Sequence, residues 1–128
     1  MTDWQALDDR IARMMGFEQE LQDEDDLFWV SSDGNEFFVD QPSVHVWTDW
    51  DVWHPHADLR QAMMALKAVA KRGYDVDLKI WDSGWTYRVW IQPPSPWAAD
   101  HEECPKAICL AIKEFLDAQD RAKGTKSG

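Results

Sequence analysis

Apolar residues recur at helical spacing in three stretches. Trp4, Leu7, Ile11, Met14 and Met15 form the first stripe, behind a Thr2–Gln5 capping box and ahead of Gly16. This spacing predicts a helix over 3–15. Leu59, Ala62, Met63, Leu66, Val69 and Ala70 predict a second helix over 57–72. Pro55 and Asp58 suit its start, Lys71 and Arg72 suit its negative end, and Gly73 closes it. Ile108, Ala111, Ile112 and Phe115, behind Pro105, predict a third helix ending near Ala118. The polar residues 119–128 are expected to fray.

Between the helices the period changes to two. Val76, Leu78 and Ile80 alternate with Asp75, Asp77 and Lys79, and Trp85, Tyr87, Val89 and Ile91 alternate with Thr86, Arg88 and Trp90. With Asp82-Ser83-Gly84 between them, these runs predict a hairpin that packs one face on helices. Leu27-Phe28-Trp29-Val30 and Phe37-Phe38-Val39 flank Ser31-Ser32-Asp33-Gly34-Asn35, a second hairpin signal, and Val44, Val46 and Trp47 suggest a further strand. Gln92-Pro93-Pro94-Ser95-Pro96 predicts a stiff loop before the last helix. The fold class is α+β, helices on a small, mainly antiparallel sheet. With no repeat and no long linker, one domain is expected over 1–118.

Composition narrows the class. The 128 residues carry a net charge of −11, and no run approaches the ~20 apolar residues of a membrane span. The first residues lack the basic and apolar regions of a signal peptide. Cys104 and Cys109, about 140° apart on a helix, are poorly placed for a mutual disulfide and read as reduced thiols. A cytoplasmic protein is expected, with no membrane and no direct nucleic-acid contact. The charge is lopsided. Residues 1–58 hold 15 acids against Arg10 and Arg13, whereas residues 59–128 hold 9 acids against 11 Lys/Arg. Asp23, Glu24, Asp25 and Asp26, with Glu18 and Glu20, are either a solubilising run or an electronegative face for a basic partner.

Leu7-Asp8-Asp9-Arg10-Ile11-Ala12 running into Met15-Gly16-Phe17 resembles the opening helix of the phage ABA-sandwich domain family. Pro55-His56-Ala57-Asp58 stands where that family begins its second helix, and Gly73-Tyr74 begins the hairpin that follows. Glu103-Cys104-Pro105-Lys106-Ala107-Ile108-Cys109-Leu110-Ala111 is similar to its Thr-x-Pro-x-Ala-Ile-Cys-x-Ala ending. Residues 18–50 and the missing Ser-Thr before Asp58 depart from the pattern. The resemblance implies a three-layer helix–sheet–helix sandwich from a phage or prophage, and it carries over no catalytic residue.

Nine tryptophans are the most unusual feature of the composition. Trp47, Trp50 and Trp53 recur every third residue, so they cannot all share one face of a strand. They either wrap a sheet edge as core or form a contact surface for a protein or ligand. His54, His56 and Asp58 form a His-x-His-x-Asp run. Alternate positions on a strand could converge on a metal or do acid–base work. Pro55 interrupts the run and the helix starts there, which fits structural or ligand-contact roles better. Asp100-His101-Glu102-Glu103-Cys104 suits a helix start, with Cys104 a remote candidate nucleophile. No phosphate loop, Cys-x-x-Cys or Gly-x-Ser-x-Gly occurs. No cofactor or metal is expected. The expected function is that of an accessory protein, not an enzyme, acting by binding. Its contact residues would be Trp47, Trp50, Trp53, His54, His56, Asp23, Glu24, Asp25 and Asp26. Its target would be a host protein with a basic surface, such as a defence component. The alternatives are sequestration of a nucleotide-type ligand, with Arg60, Arg72 or Arg88 on the phosphate, and a weak hydrolase using His54, His56 and Asp58. A homo-oligomer is compatible with either binding function.

Overall fold

A computed structural model describes residues 2–21, 27–39, 52–81, 86–92 and 97–127. The chain is α+β, with three helices and two three-stranded antiparallel sheets in place of the single sheet expected. Its contacts cluster into two compact units, Met1–His54 and Pro55–Gly128.

The first unit opens with α1 (Trp4–Met14). Its N-cap is Asp3, not Thr2, because the Asp3 carboxylate accepts the Ala6 N–H at 3.1 Å. A carboxylate satisfies an orphan donor and also favours the positive helix end. Gln5 reaches sideways instead, donating to Asp9 Oδ1 at 3.3 Å. At the other end Phe17 N–H donates to the Ala12 carbonyl and Gly16 N–H to the Arg13 carbonyl. This Schellman closure requires the left-handed backbone that Gly16 adopts at φ 83°.

The chain then forms β1 (Glu18–Leu21), β2 (Leu27–Val30) and β3 (Glu36–Phe38), paired in that order. The β2–β3 hairpin turns at the expected place. Gly34 N–H donates to the Ser31 carbonyl, and Ser31 Oγ accepts the Asn35 N–H at 2.9 Å. Strand β1 has no alternating signature, and all four of its residues are exposed. Leu7, Ile11, Ala12 and Met14 of α1, with Phe17, Trp29 and Phe38, are buried, and Arg13 lies over the Trp29 ring, 5.7 Å from its centroid. The strand suggested at Val44–Trp47 lies outside the described residues.

The second unit holds α2 (Leu59–Lys71), β4 (Asp75–Trp81), β5 (Thr86–Gln92), β6 (Trp97–His101) and α3 (Cys104–Ser127). Strands β4 and β5 form the predicted hairpin, with Leu78 opposite Val89, and β6 pairs with the far side of β5. Helix α3 packs on β5 and β6, and α2 lies beside α3 and β4, so both helices cover one face of the sheet. Its core is Ala62, Ala65, Leu66 and Val69 of α2, Val89 and Ile91 of β5, and Ala107, Ile108, Cys109, Ala111, Ile112 and Phe115 of α3. Leu59 and Met63, counted in the predicted stripe, are exposed. The buried arc centres on Ala62, Leu66 and Val69, and those two residues flank it.

Helix α3 outruns its expected end near Ala118. Asp117 through Lys123 contains no breaker, so the helix continues into the segment expected to fray. Gln119 Nε2 donates to Tyr74 Oη at 3.4 Å, and the Tyr74 ring meets Phe115 edge-on at 4.7 Å. Cys104 and Cys109 are both free thiols. Among the described residues no helix is long and apolar enough to cross a membrane.

Leu66 is 4% exposed at the centre of α2. Leu66→Ala is expected to cost ~2–5 kcal/mol of unfolding free energy in a denaturant titration. A loss under ~1 kcal/mol would place the residue outside a packed core.

Candidate binding surfaces

Of the tryptophan triplet, Trp53 is described and is not a surface residue. Its main-chain N–H donates to the Phe38 carbonyl at 2.8 Å, beside a parallel bridge between Phe38 and Val52. Its indole N–H donates to the Asp8 carbonyl at 2.8 Å, and the ring meets Phe17 at 4.9 Å and Phe37 at 5.2 Å, both edge-on. It is 1% exposed. The expectation of a contact anchor at Trp53 is therefore corrected, because strand pairing and an aromatic cluster take the side chain inside. Trp47 and Trp50 lie outside the described residues, as do Asp23, Glu24, Asp25 and Asp26.

The His-x-His-x-Asp run divides. His54 ends the first unit and is half-buried, and His56 belongs to the second. Asp58 is the N-cap of α2. Its Oδ1 accepts the Arg60 N–H at 2.9 Å and the Gln61 N–H at 3.3 Å, and its Oδ2 pairs with the Arg60 guanidinium at 3.2 Å. That carboxylate is committed to the helix, and so is the arginine suggested for a phosphate. Arg72 is the C-cap residue of α2.

His56 joins a cluster that the sequence kept apart from it. Glu103 takes an ion pair from Lys106 at 2.6 Å, and its N–H donates to His101 Nδ1 at 3.0 Å. The Lys106 bond chiefly holds the Glu103 carboxyl below its usual range, and His101 and His56 add to the effect. Burial, then the Lys106 ammonium, push His56 below the ordinary imidazole range, against an opposing pull from Glu103. Burial pushes the Cys104 thiol up. A protonated thiol beside a carboxylate engaged by lysine is poorly set for nucleophilic attack. Among the described residues no group of three or more His, Cys, Asp or Glu could hold a metal.

A second surface lies on the open face of β4 and β5. Alternation puts Arg88, Trp90 and Gln92 of β5 on the side away from the buried Val89 and Ile91. The Arg88 guanidinium lies 5.7 Å from the Trp90 ring centroid, and Lys79 stands directly opposite Arg88. An open hollow of about 400 Å³ is lined by Asp77, Leu78, Lys79, Trp90 and Gln92. Arg88 is one of the three arginines that the sequence suggests for a phosphate. Trp90 was missed, although its two-residue spacing from Arg88 is the signal that pairs them.

The His56 shift predicts a pH dependence. The folded chain binds this proton less readily than the unfolded chain, so unfolding takes up a proton as pH falls. The stabilisation is present above the unfolded value of ~6.5 and is lost as pH drops through the lower folded value. Urea titrations at about pH 7.5 and about pH 5 should show His56→Gln losing less stability than the parent. An equal loss in both would remove His56 as a source of the dependence.

Comparisons of the chain with protein-family models, curated proteins and solved structures find no match.

Proposed function

We propose that the protein acts by binding a partner with a basic surface through the acidic edge of its N-terminal unit. The observation that carries this is β1, which among the described residues ends its sheet, pairs only with β2, and exposes Glu18, Gln19, Glu20 and Leu21. The unit Met1–His54 contains 14 acids against Arg10 and Arg13, and β1 runs straight into Asp23, Glu24, Asp25 and Asp26. An edge strand offers backbone donors and acceptors to a partner strand, and a field of one sign speeds encounter. Asp58 and Glu103, two of the carboxylates nearest the candidate catalytic groups, are engaged in capping and ion pairing, which also favours binding over catalysis. The resemblance to phage ABA-sandwich proteins adds a phage or prophage origin, the reduced thiols a cytoplasmic site of action, and phage context with the acidic charge a host target such as a defence component.

The test uses the full chain as bait in a bacterial lysate, beside a variant with Glu18, Glu20, Asp23, Glu24, Asp25 and Asp26 changed to Gln or Asn. A basic protein should be captured by the parent and lost from the variant. Its association rate should fall as ionic strength rises from about 0.05 M to about 0.5 M. Capture of the same proteins by both baits would reduce the run to a solubility device.

A second function is favoured by one observation, the Arg88–Trp90 pair beside Lys79. An indole face with two cations suits a nucleotide-type ligand, base on the ring and phosphate on the guanidinium. Calorimetric titration with a nucleoside monophosphate should give binding that Arg88→Ala weakens by about tenfold or more. The absence of heat with the parent protein would dispose of it.

A further inference from the structure

Four large apolar residues of the second unit are exposed together. Leu59 and Met63 share a face of α2, and Leu78 and Ile80 share a face of β4, at 47%, 36%, 42% and 56% exposure. The chain reverses between α2 and β4 over residues 72–74. At ~1.5 Å per helical residue and ~3.3 Å per strand residue, Met63 comes level with Leu78 and Leu59 with Ile80. By this spacing the four fall at matching heights along α2 and β4, which pack beside each other. Leu78 and Ile80 lie on the same sheet face as the fully buried Val89, yet α3 covers β5 and β6 and leaves this margin bare.

Among the described residues β4 pairs only with β5, over its seven residues, and stands at the end of its sheet. It contains neither a proline nor a glycine. A lone lysine on an edge strand normally discourages pairing. Here Lys79 is accompanied by Asp77, two positions away on the same face, and among the described residues neither has an ion-pair partner. Lys79 stands opposite Arg88 across the β4–β5 ladder.

We propose that β4 pairs antiparallel with β4 of a second copy of this chain, centred on Leu78, joining two three-stranded sheets into one of six strands. The strand is self-complementary in this register. Leu78 meets Leu78, Val76 meets Ile80 of the second copy, and Asp77 meets Lys79 of the second copy, a charge pair that the two-fold axis forms twice. The apolar ladder falls on the helix-covered face, where it continues the bare strip of Leu59 and Met63. The ion pairs fall on the open face. Centring on Lys79 sets Lys79 against itself and Asp77 against Trp81, and centring on Asp77 sets Asp77 against itself while Lys79 meets Asp75, so of these three registers the one about Leu78 alone has no like-charge pair.

Sedimentation equilibrium of the full chain from about 1 µM to about 1 mM, with charge-reversed variants, tests this directly. The parent should self-associate as a dimer. Asp77→Lys and Lys79→Asp should each weaken it by about tenfold or more, since each sets like charges together twice. The double variant Asp77→Lys/Lys79→Asp should regain affinity within about threefold of the parent, because the complementarity is only exchanged. Both positions are exposed, so the variants should fold. A monomer over the whole range would overturn the proposal, as would a dimer indifferent to the single reversals or a double variant that fails to recover.

Discussion

Within the N-terminal unit, Trp53 is held from three directions. Its amide is bonded to β3, its indole to the carbonyl of Asp8 on α1, and its ring to Phe17 and Phe37. An indole N–H taken from water without a partner costs on the order of 1–3 kcal/mol, and the Asp8 carbonyl supplies that partner. Phe17 can reach the ring because the Gly16 closure turns the chain immediately after α1. Helix, turn and β3 therefore meet on one side chain. A residue with the composition of a contact anchor serves as the fastening of a small unit, in which three short strands bury little on their own.

This explains which features were legible from the sequence. Elements with a clean period were found. The stripe through Leu66 and the alternation through Val76–Ile80 and Tyr87–Ile91 predicted α2, β4 and β5. Strand β1 was missed because Glu18-Gln19-Glu20-Leu21 has no buried face, so its pairing with β2 leaves no pattern. Strand β6 reads Trp-Ala-Ala-Asp-His after the proline-rich sequence 93–96, again without alternation. The period of three in Trp47, Trp50 and Trp53 suggested exposure because no single strand face fits it. What buries Trp53 is long-range pairing with Phe38 and Asp8, which local spacing does not encode.

The polar clusters follow the same logic. His56 and Glu103 are forty-seven residues apart, so their juxtaposition is invisible to a motif search. Each was legible only as part of a local run. Once the fold brings them together, burial and then Lys106 lower His56, and Lys106 pairs Glu103. Two runs that suggested catalysis in isolation combine into a helix start tied by an ion pair. Asp58 gives the same lesson at α2, where capping consumes the carboxylate that would have completed a His-His-Asp set.

The two outer strands show how charge placement selects a partner. Glu18 and Glu20 share a face of β1, and antiparallel pairing of β1 with itself about Gln19 would set Glu18 against Glu20 twice. Like charges directly opposite are destabilising, so this charge pattern disfavours pairing of β1 with its own copy and would suit the basic partner proposed for it. Strand β4 carries Asp77 and Lys79 at the same two-residue spacing, and antiparallel self-pairing about the residue between them sets opposite charges together. The geometry is the same in both strands; only the sign of one residue differs. On this logic the acidic edge is built to meet a different molecule and the mixed edge to meet its own copy, so a dimer through β4 would carry two acidic β1 edges. A partner with two basic surfaces would then gain from both at once, through effective concentration and without any new contact.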